Sequence, residues 1–142
     1  MESPAGTYEF FDHAADVGIR CRAASVGCLF EAAARAMMEW AGPPPDGNDP
    51  VSLQVNLEAE DREEMLVRWL QEVLYLFSQR HLYFVAAGFL RVTDTTLQGE
   101  LLAKPWDQSS SREYQEIKAI TYHQLRVCEE GGVWHASVIL DI

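Results

Sequence analysis

The sequence predicts an α+β fold: one compact domain in which a mostly antiparallel or mixed β-sheet is packed by two main α-helices. Alternating apolar and polar residues mark strands towards both ends of the chain, whereas two internal segments carry the helical apolar period of roughly 3.6 residues. The 142 residues are enough for one hydrophobic core. We therefore treat residues 1–142 as a single domain.

The first half of the chain predicts two strands separated by a helix. Val17 to Arg22 and Val51 to Leu57 each alternate apolar with polar residues, as half-buried strands do. Ser25 is a favoured N-cap residue type, and the helix that it begins should end at Gly42, before a turn-rich loop at 42–50. The apolar face of this helix contains Leu29, Ala32, Ala33, Ala36, Met37 and Trp40.

The second half predicts another helix and two pairs of strands. Asp61 begins the helix, whose inward face contains Met65, Leu66, Trp69, Val73, Leu76 and Phe77. Phe89 to Thr93 and Thr96 to Leu102 should be antiparallel neighbours. The last pair, Tyr122 to Cys128 and Val133 to Ile139, is joined by a turn with paired glycines. In the polar connection before it, Trp106 is expected to pack on its own sheet.

Charge and composition narrow the function. Acidic residues outnumber basic ones 22 to 11, and this net charge of -11 disfavours direct nucleic-acid binding and favours a basic protein partner. Cys21, Cys28 and Cys128 have no metal-site or redox-pair spacing and are expected to be reduced core thiols. Without a signal segment, a long apolar run or a glycine-rich phosphate loop, we expect a cytoplasmic protein that neither enters membranes nor hydrolyses nucleotides.

Acidic residues near the two ends of the chain suggest a metal site. If the fold brings these ends together, the side chains of Asp16 and Asp141 and the carboxylate of Ile142 form a cluster of anionic oxygens that needs a cation. Hard divalent cations such as calcium, magnesium or manganese fit that need, whereas zinc fits less well without a Cys or His set. The competing interpretation is that these are solvated acids near frayed ends.

The segment from Glu116 to His123 contains an acid, a hydroxyl, a lysine and a histidine within eight residues. General acid-base chemistry would be conceivable there. The favoured interpretation is that Glu116 and Lys118 are charges at a strand edge and that His123 is a hydrogen-bonded structural residue.

Four segments together resemble the archease family over nearly the whole chain: Asp12 to Gly18, Trp69 to Tyr75, Glu116 to His123 and Ile139 to Ile142. The run from Lys118 to His123 is the most specific of them. The sequence departs from the family at Ala14, where His-Thr-Ala-Asp is usual, so a threonine hydroxyl that could bond to the site is missing.

The resemblance implies a helper protein and not an enzyme. Archeases are small α+β proteins that activate RtcB-type RNA ligase, which joins RNA ends carrying a 3′-phosphate or 2′,3′-cyclic phosphate to 5′-hydroxyl ends. The helper promotes guanylylation and multiple turnover of the ligase in tRNA splicing or RNA repair. It carries a calcium-type site, whose ligands here would be Asp16, Asp141 and Ile142.

Supporting or partner-contact roles are a hypothesis for Asp12, His13, Lys118 and His123. Two other functions remain open. One is a stand-alone metal-dependent hydrolase, in which the Asp16/Asp141 cluster holds a cation that activates water. The other is a chaperone-like interaction module whose acidic residues only keep the surface soluble.

Overall fold

Seven β-strands and two α-helices form the part of the chain that this computed structural model describes, residues 6–13, 16–47, 49–107 and 113–142. In chain order they are β1 (Thr7–His13), β2 (Asp16–Ala23), α1 (Val26–Ala41), β3 (Val51–Glu58), α2 (Arg62–Arg80), β4 (Leu82–Val92), β5 (Thr96–Pro105), β6 (Ala119–Glu130) and β7 (Val133–Asp141).

The strands are divided between two antiparallel sheets. Sheet A has the order β1-β2-β7-β6, and sheet B has the order β3-β5-β4. Helix α1 packs against β2 and β4, and α2 packs against β6 and β4, so each helix contacts both sheets. The predicted α+β class is confirmed, with two sheets sharing one core.

Helix α1 begins and ends, and helix α2 begins, where the capping residues predict. Ser25 Oγ accepts a hydrogen bond of 3.2 Å from the Cys28 N–H, and Gly42, at φ 151°, ends α1. Asp61 Oδ1 accepts one of 2.8 Å from the Glu64 N–H at the start of α2. The six residues predicted to face inward from α2 are all buried: Met65, Leu66, Trp69, Val73, Leu76 and Phe77.

The strand predictions differ from the structure where the two-residue period is interrupted. Strand β4 begins at Leu82, not Phe89, because irregularities between Phe84 and Ala86 and between Ala87 and Phe89 break its alternation. Strand β6 begins at Ala119, not Tyr122. Strand β1 was not predicted, because it lies at the edge of sheet A and both of its faces are partly exposed.

Trp106 packs on a helix, so the prediction that it packs on its own sheet is wrong. Its ring stacks on Phe77 of α2 with a centroid separation of 5.1 Å. The Trp106 Nε1–H also donates a hydrogen bond of 3.1 Å to the Phe77 carbonyl. The connection after β5 is thereby attached to the end of α2.

The three cysteines are free, but they do not share one environment. Cys21 is buried in the core, and this burial raises the pKa of its thiol to about 12, an effect that nearby Arg35 partly offsets. Cys28 and Cys128 are only partly buried, so the prediction of core thiols holds fully for Cys21 alone.

Neither helix of the described residues is long and apolar enough to cross a membrane.

Candidate functional site

The two central strands of sheet A bring the acidic residues of both ends of the chain together. The antiparallel register of β2 and β7 places Asp16 directly opposite Asp141. Residues opposite each other in such a pair point to the same face, with Cβ atoms about 4.5–5.5 Å apart. The predicted cluster requires the two ends of the chain to meet, and this register brings them together.

The acidic pair lies on the side of sheet A that faces away from the core. Val17, Ile19 and Cys21 are buried on the core side, so the alternation of β2 places Asp16 and Arg20 on the opposite side. We call this side the outer face. Asp16 and Asp141 are both partly buried there.

Packing beside the pair fixes the end of β7. Ile139 lies on the outer face opposite Gly18 and is fully buried. The Phe11 ring lies against Gly18 so closely that a Cβ there would overlap it. On the β6 side, the Lys118 N–H donates a hydrogen bond of 2.7 Å to the Asp141 carbonyl. Asp141 is thus held by both of its neighbouring strands.

Ile142 follows Asp141 and packs partly buried against the hydrophobic core. As the next residue along the chain, Ile142 places its main chain beside Asp141.

The four residues predicted to support the site lie at different places. The His13 main chain is opposite Asp16, but its side chain, like Ala14, is outside the described residues. Asp12 is opposite Val17, which faces the core, so Asp12 lies on the other side of the sheet from the acidic pair. Lys118 and His123 are both exposed, near the start of β6.

A wide irregularity of β6 separates His123 from the regular strand. Thr121 is opposite Ile139 and Arg126 is opposite Ser137, so the four residues 122–125 stand against one residue of β7. Gln124 has the left-handed φ of 52°, which is uncommon for a residue with a side chain. The segment leaves Tyr122 62% exposed, three residues along β6 from Ala119, which lies opposite Asp141. We call residues 122–125 the β6 bulge.

The oxygen donors at this end fit a hard divalent cation better than zinc. No group of three or more His, Cys, Asp or Glu side chains within the described ranges has the arrangement of a metal site. Asp16 and Asp141 lie opposite each other in the strand register here, and Ile142 follows Asp141 directly. Like charges directly opposite each other destabilise a sheet, which a bound cation would relieve.

Comparison with known proteins identifies the family. The family model of the Archease protein family matches residues 8–142. The chain belongs to this family. An archease of Methanosarcina barkeri is 30% identical over 146 residues and is covered completely, as is this chain.

Two solved structures of family members share the fold. The solution structure of protein 1598 of Methanobacterium thermoautotrophicum has a TM-score of 0.72 at 27% identity, covering 95% of this chain and 98% of that one. An archease of Thermotoga maritima, described as a possible chaperone, has a TM-score of 0.63 at 21% identity and covers 100% and 98%. The latter supports the fold alone.

Two features of the outer face were not predicted from the sequence. The β6 bulge has no glycine to signal it, and Gln124 gives no hint of a positive φ. The second feature is a set of arginines further along the sheet. The alternation of Arg20 and Arg22 along β2 was the available signal for it, but Arg126 joins them only through the strand order.

Proposed function

We propose that this archease-family chain is a metal-binding accessory protein that activates an RtcB-type RNA ligase. In this role it would promote guanylylation and multiple turnover of the ligase during tRNA splicing or RNA repair. Family membership supports the proposal. The observation that carries it is the direct opposition of Asp16 and Asp141 on the two central strands of sheet A.

Asp16, Asp141 and Ile142 would hold the cation, with calcium as the expected ion and magnesium or manganese as alternatives. When bound, the cation would supply positive charge at an otherwise acidic end of the protein. The chain itself holds the main chain that carries these carboxylates, because the Asp141 carbonyl accepts a hydrogen bond from the Lys118 N–H and Asp141 is paired with Asp16.

The exposed residues beside the acidic pair are the proposed contact with the ligase. Lys118, Tyr122 and His123 are all exposed. Exposed aromatic side chains such as Tyr122 are typical anchors of protein interfaces. A basic, anion-binding surface of the ligase would match the net charge of -11.

The decisive experiment is RNA ligation by a purified RtcB-type ligase with GTP and metal, with guanylylation of the ligase measured separately. Asp16→Asn and Asp141→Asn should lower the stimulation of both by at least the roughly 10-fold that loss of a supporting residue costs at metal sites. Asp12→Asn is the matched control, because Asp12 lies on the other side of the sheet. It should retain full stimulation.

Full stimulation by both site variants would contradict the proposal. Turnover of a phosphoester by the isolated protein that disappears in Asp141→Asn would instead favour the hydrolase. Stimulation that survives both chelation and the two variants would favour an interaction module without a metal.

The contact residues have a separate test, because they should affect the ligase and not the cation. Lys118→Ala, Tyr122→Ala and His123→Ala should weaken stimulation while calcium binding, measured by calorimetry on the isolated protein, stays unchanged. Normal stimulation by all three variants would leave them as structural residues.

A further inference from the structure

The outer face of sheet A contains a second concave site, separate from the acidic pair. It is a pocket of about 510 Å³ formed by β1, β2, β6 and β7. This volume lies within the range of about 300–1,000 Å³ that small-molecule pockets occupy. Arg20, which lines it, is four residues from Asp16 along β2, or roughly 13 Å.

The pocket concentrates positive charge in a strongly acidic protein. Three of the 11 lysines and arginines, namely Arg20, Arg22 and Arg126, line it, together with His135. Only two glutamates, Glu9 and Glu130, line it as well. Three arginines against two glutamates leave the pocket with a positive balance, whereas the whole chain has a net charge of -11.

The strand register arranges these cations around one small polar residue. Arg20 of β2 and Arg126 of β6 are both directly opposite Ser137 of β7, so the three form one row across the sheet. The next row places Arg22 opposite His135. Two guanidinium groups therefore flank a hydroxyl, with a third cation and an imidazole beside them.

Contacts on the outer face orient Arg20 before any ligand binds. Its guanidinium carbon lies 4.1 Å from the centroid of the Phe11 ring, an arrangement that leaves the N–H edge of the group available. A guanidinium held in one orientation loses less freedom when it forms paired hydrogen bonds to an anion.

The two ion pairs inside the pocket are exposed, so an anionic ligand can replace their glutamates. Arg20 pairs with Glu9 at 3.5 Å and Arg126 pairs with Glu130 at 3.0 Å, and all four side chains are more than half exposed. Exposed pairs of this kind contribute little to stability, so a ligand can replace either glutamate. Within the described ranges, Arg22 has no ion-pair partner.

We propose that this pocket binds the phosphate group of a small phosphorylated molecule of nucleotide size. Arginine suits the class, because its planar N–H groups bind phosphate oxygens in pairs. The Ser137 hydroxyl and the Gln124 amide, which also lines the pocket, add neutral donors. A small anion fits better than a nucleic-acid backbone, which the surrounding acidic surface would repel. The proposal goes beyond the activator function and does not depend on it.

The test is a titration of the complete protein with inorganic phosphate and with AMP, followed by ¹⁵N–¹H NMR. Saturable shifts are expected at the amides of the pocket residues and not at those of the acidic pair. AMP should bind more tightly than phosphate, because the pocket is larger than one phosphate group.

Two arginine variants and a control locate the site. Arg22→Ala and Arg126→Ala should each weaken AMP binding by about 10-fold or more, the value of one charge-assisted hydrogen bond. Arg68→Ala on α2, which removes an exposed arginine paired with Glu64, should leave the affinity unchanged. All three positions are exposed, and thermal unfolding would verify that each variant is folded.

The most specific test is a variant that should bind AMP more tightly than the wild type does. Glu130→Gln removes the competitor of the ligand for Arg126, so AMP should bind about 2- to 5-fold more tightly, in proportion to the strength of an exposed ion pair. A merely structural role of these residues would not produce a tighter complex.

Absence of saturable binding by either probe at millimolar concentrations would overturn the site. Equal loss of affinity in Arg68→Ala would also overturn it, because the attraction would then come from overall charge. Equal affinity for phosphate and AMP would overturn the assignment of nucleotide size.

Discussion

At the scale of single residues, close packing beside the acidic pair fixes the ends of the two central strands. Gly18 is the clearest case. It lies two residues after Asp16 on the same face, and the Phe11 ring occupies the space where its side chain would be. Opposite Gly18, Ile139 is fully buried on the outer face. These contacts hold the ends of β2 and β7 together.

Gly18→Ala should therefore reduce both stability and activation. The added methyl group displaces the Phe11 ring, and overpacking of this kind costs about 1–3 kcal/mol of unfolding free energy. Urea unfolding measures that loss, and the ligation assay measures the accompanying loss of stimulation. Ser52→Ala, at an exposed position of β3, is the control and should stay within about 0.5 kcal/mol. Wild-type stability of Gly18→Ala would show that Phe11 moves freely.

Burial of Cys21 makes the unfolding free energy depend on pH above 9.0, the ordinary pKa of a thiol. Burial raises the pKa of its thiol from 9.0 to about 12 in the folded chain. Above pH 9 the unfolded state therefore releases the proton while the folded state retains it, so the unfolding free energy falls as pH rises from about 9 to 12. The slope approaches about 1.4 kcal/mol per pH unit.

Denaturant unfolding at pH 8 and pH 10 would measure this effect. Cys21→Ala should remove the part of the slope that the thiol causes, whereas Cys128→Ala, at a partly buried position, should retain it. An unchanged slope in Cys21→Ala would assign the pH dependence to other groups.

At the scale of elements, regular segments could be predicted from sequence and irregular ones could not. The helices were predicted from their caps and their apolar period, because Ser25 and Asp61 bond to the main chain within one turn. The starts of β4 and β6 were missed because each strand contains extra residues that interrupt its apolar–polar alternation. No local sequence pattern marks those extra residues. A bulge is defined by how a strand pairs with its neighbour, and the pattern of one short segment carries no information about that neighbour.

The β6 bulge should contain strain that glycine can relieve. Gln124 adopts the left-handed conformation, which costs a residue with a side chain roughly 1–2 kcal/mol. Gln124→Gly should therefore raise the unfolding free energy by about 1 kcal/mol, less the extra freedom of glycine in the unfolded chain. Gln124→Val should lower it, because a β-branched residue tolerates this φ least. Urea unfolding of both variants tests the pair, and a more stable valine variant would contradict the argument.

At the scale of the whole molecule, the sequence singled out Asp16 and Asp141 but did not contain the strand order that brings them together. Asp16 and Asp141 lie 125 positions apart and meet because β2 and β7 are neighbours in the strand order. The same order explains why Asp12, only four positions from Asp16, lies on the other side of the sheet. Distance along the chain therefore predicts neither the meeting of Asp16 with Asp141 nor the side on which Asp12 lies. Strand register determines both positions.

The uneven distribution of charge gives the last prediction. With a net charge of -11, the protein should associate rapidly with a basic ligase surface, and salt should slow that encounter because exposed charges are screened. Stopped-flow measurements with the ligase should show the association rate constant falling by about 10-fold or more between low and high salt. The dissociation rate constant should change much less.

Two partly exposed acids of α2 provide the control for this prediction. Glu63→Gln and Glu72→Gln together reduce the net charge without touching the acidic pair or the β6 bulge, so they should lower the association rate only slightly. With divalent cations removed by chelation, so that loss of a bound cation does not change the charge, Asp16→Asn removes one negative charge at the proposed contact and should lower the association rate more than the two α2 changes do. If the rate constant does not depend on salt, or if α2 and Asp16 variants reduce it in proportion to their total charge, the acidic pair does not lie at the contact with the ligase.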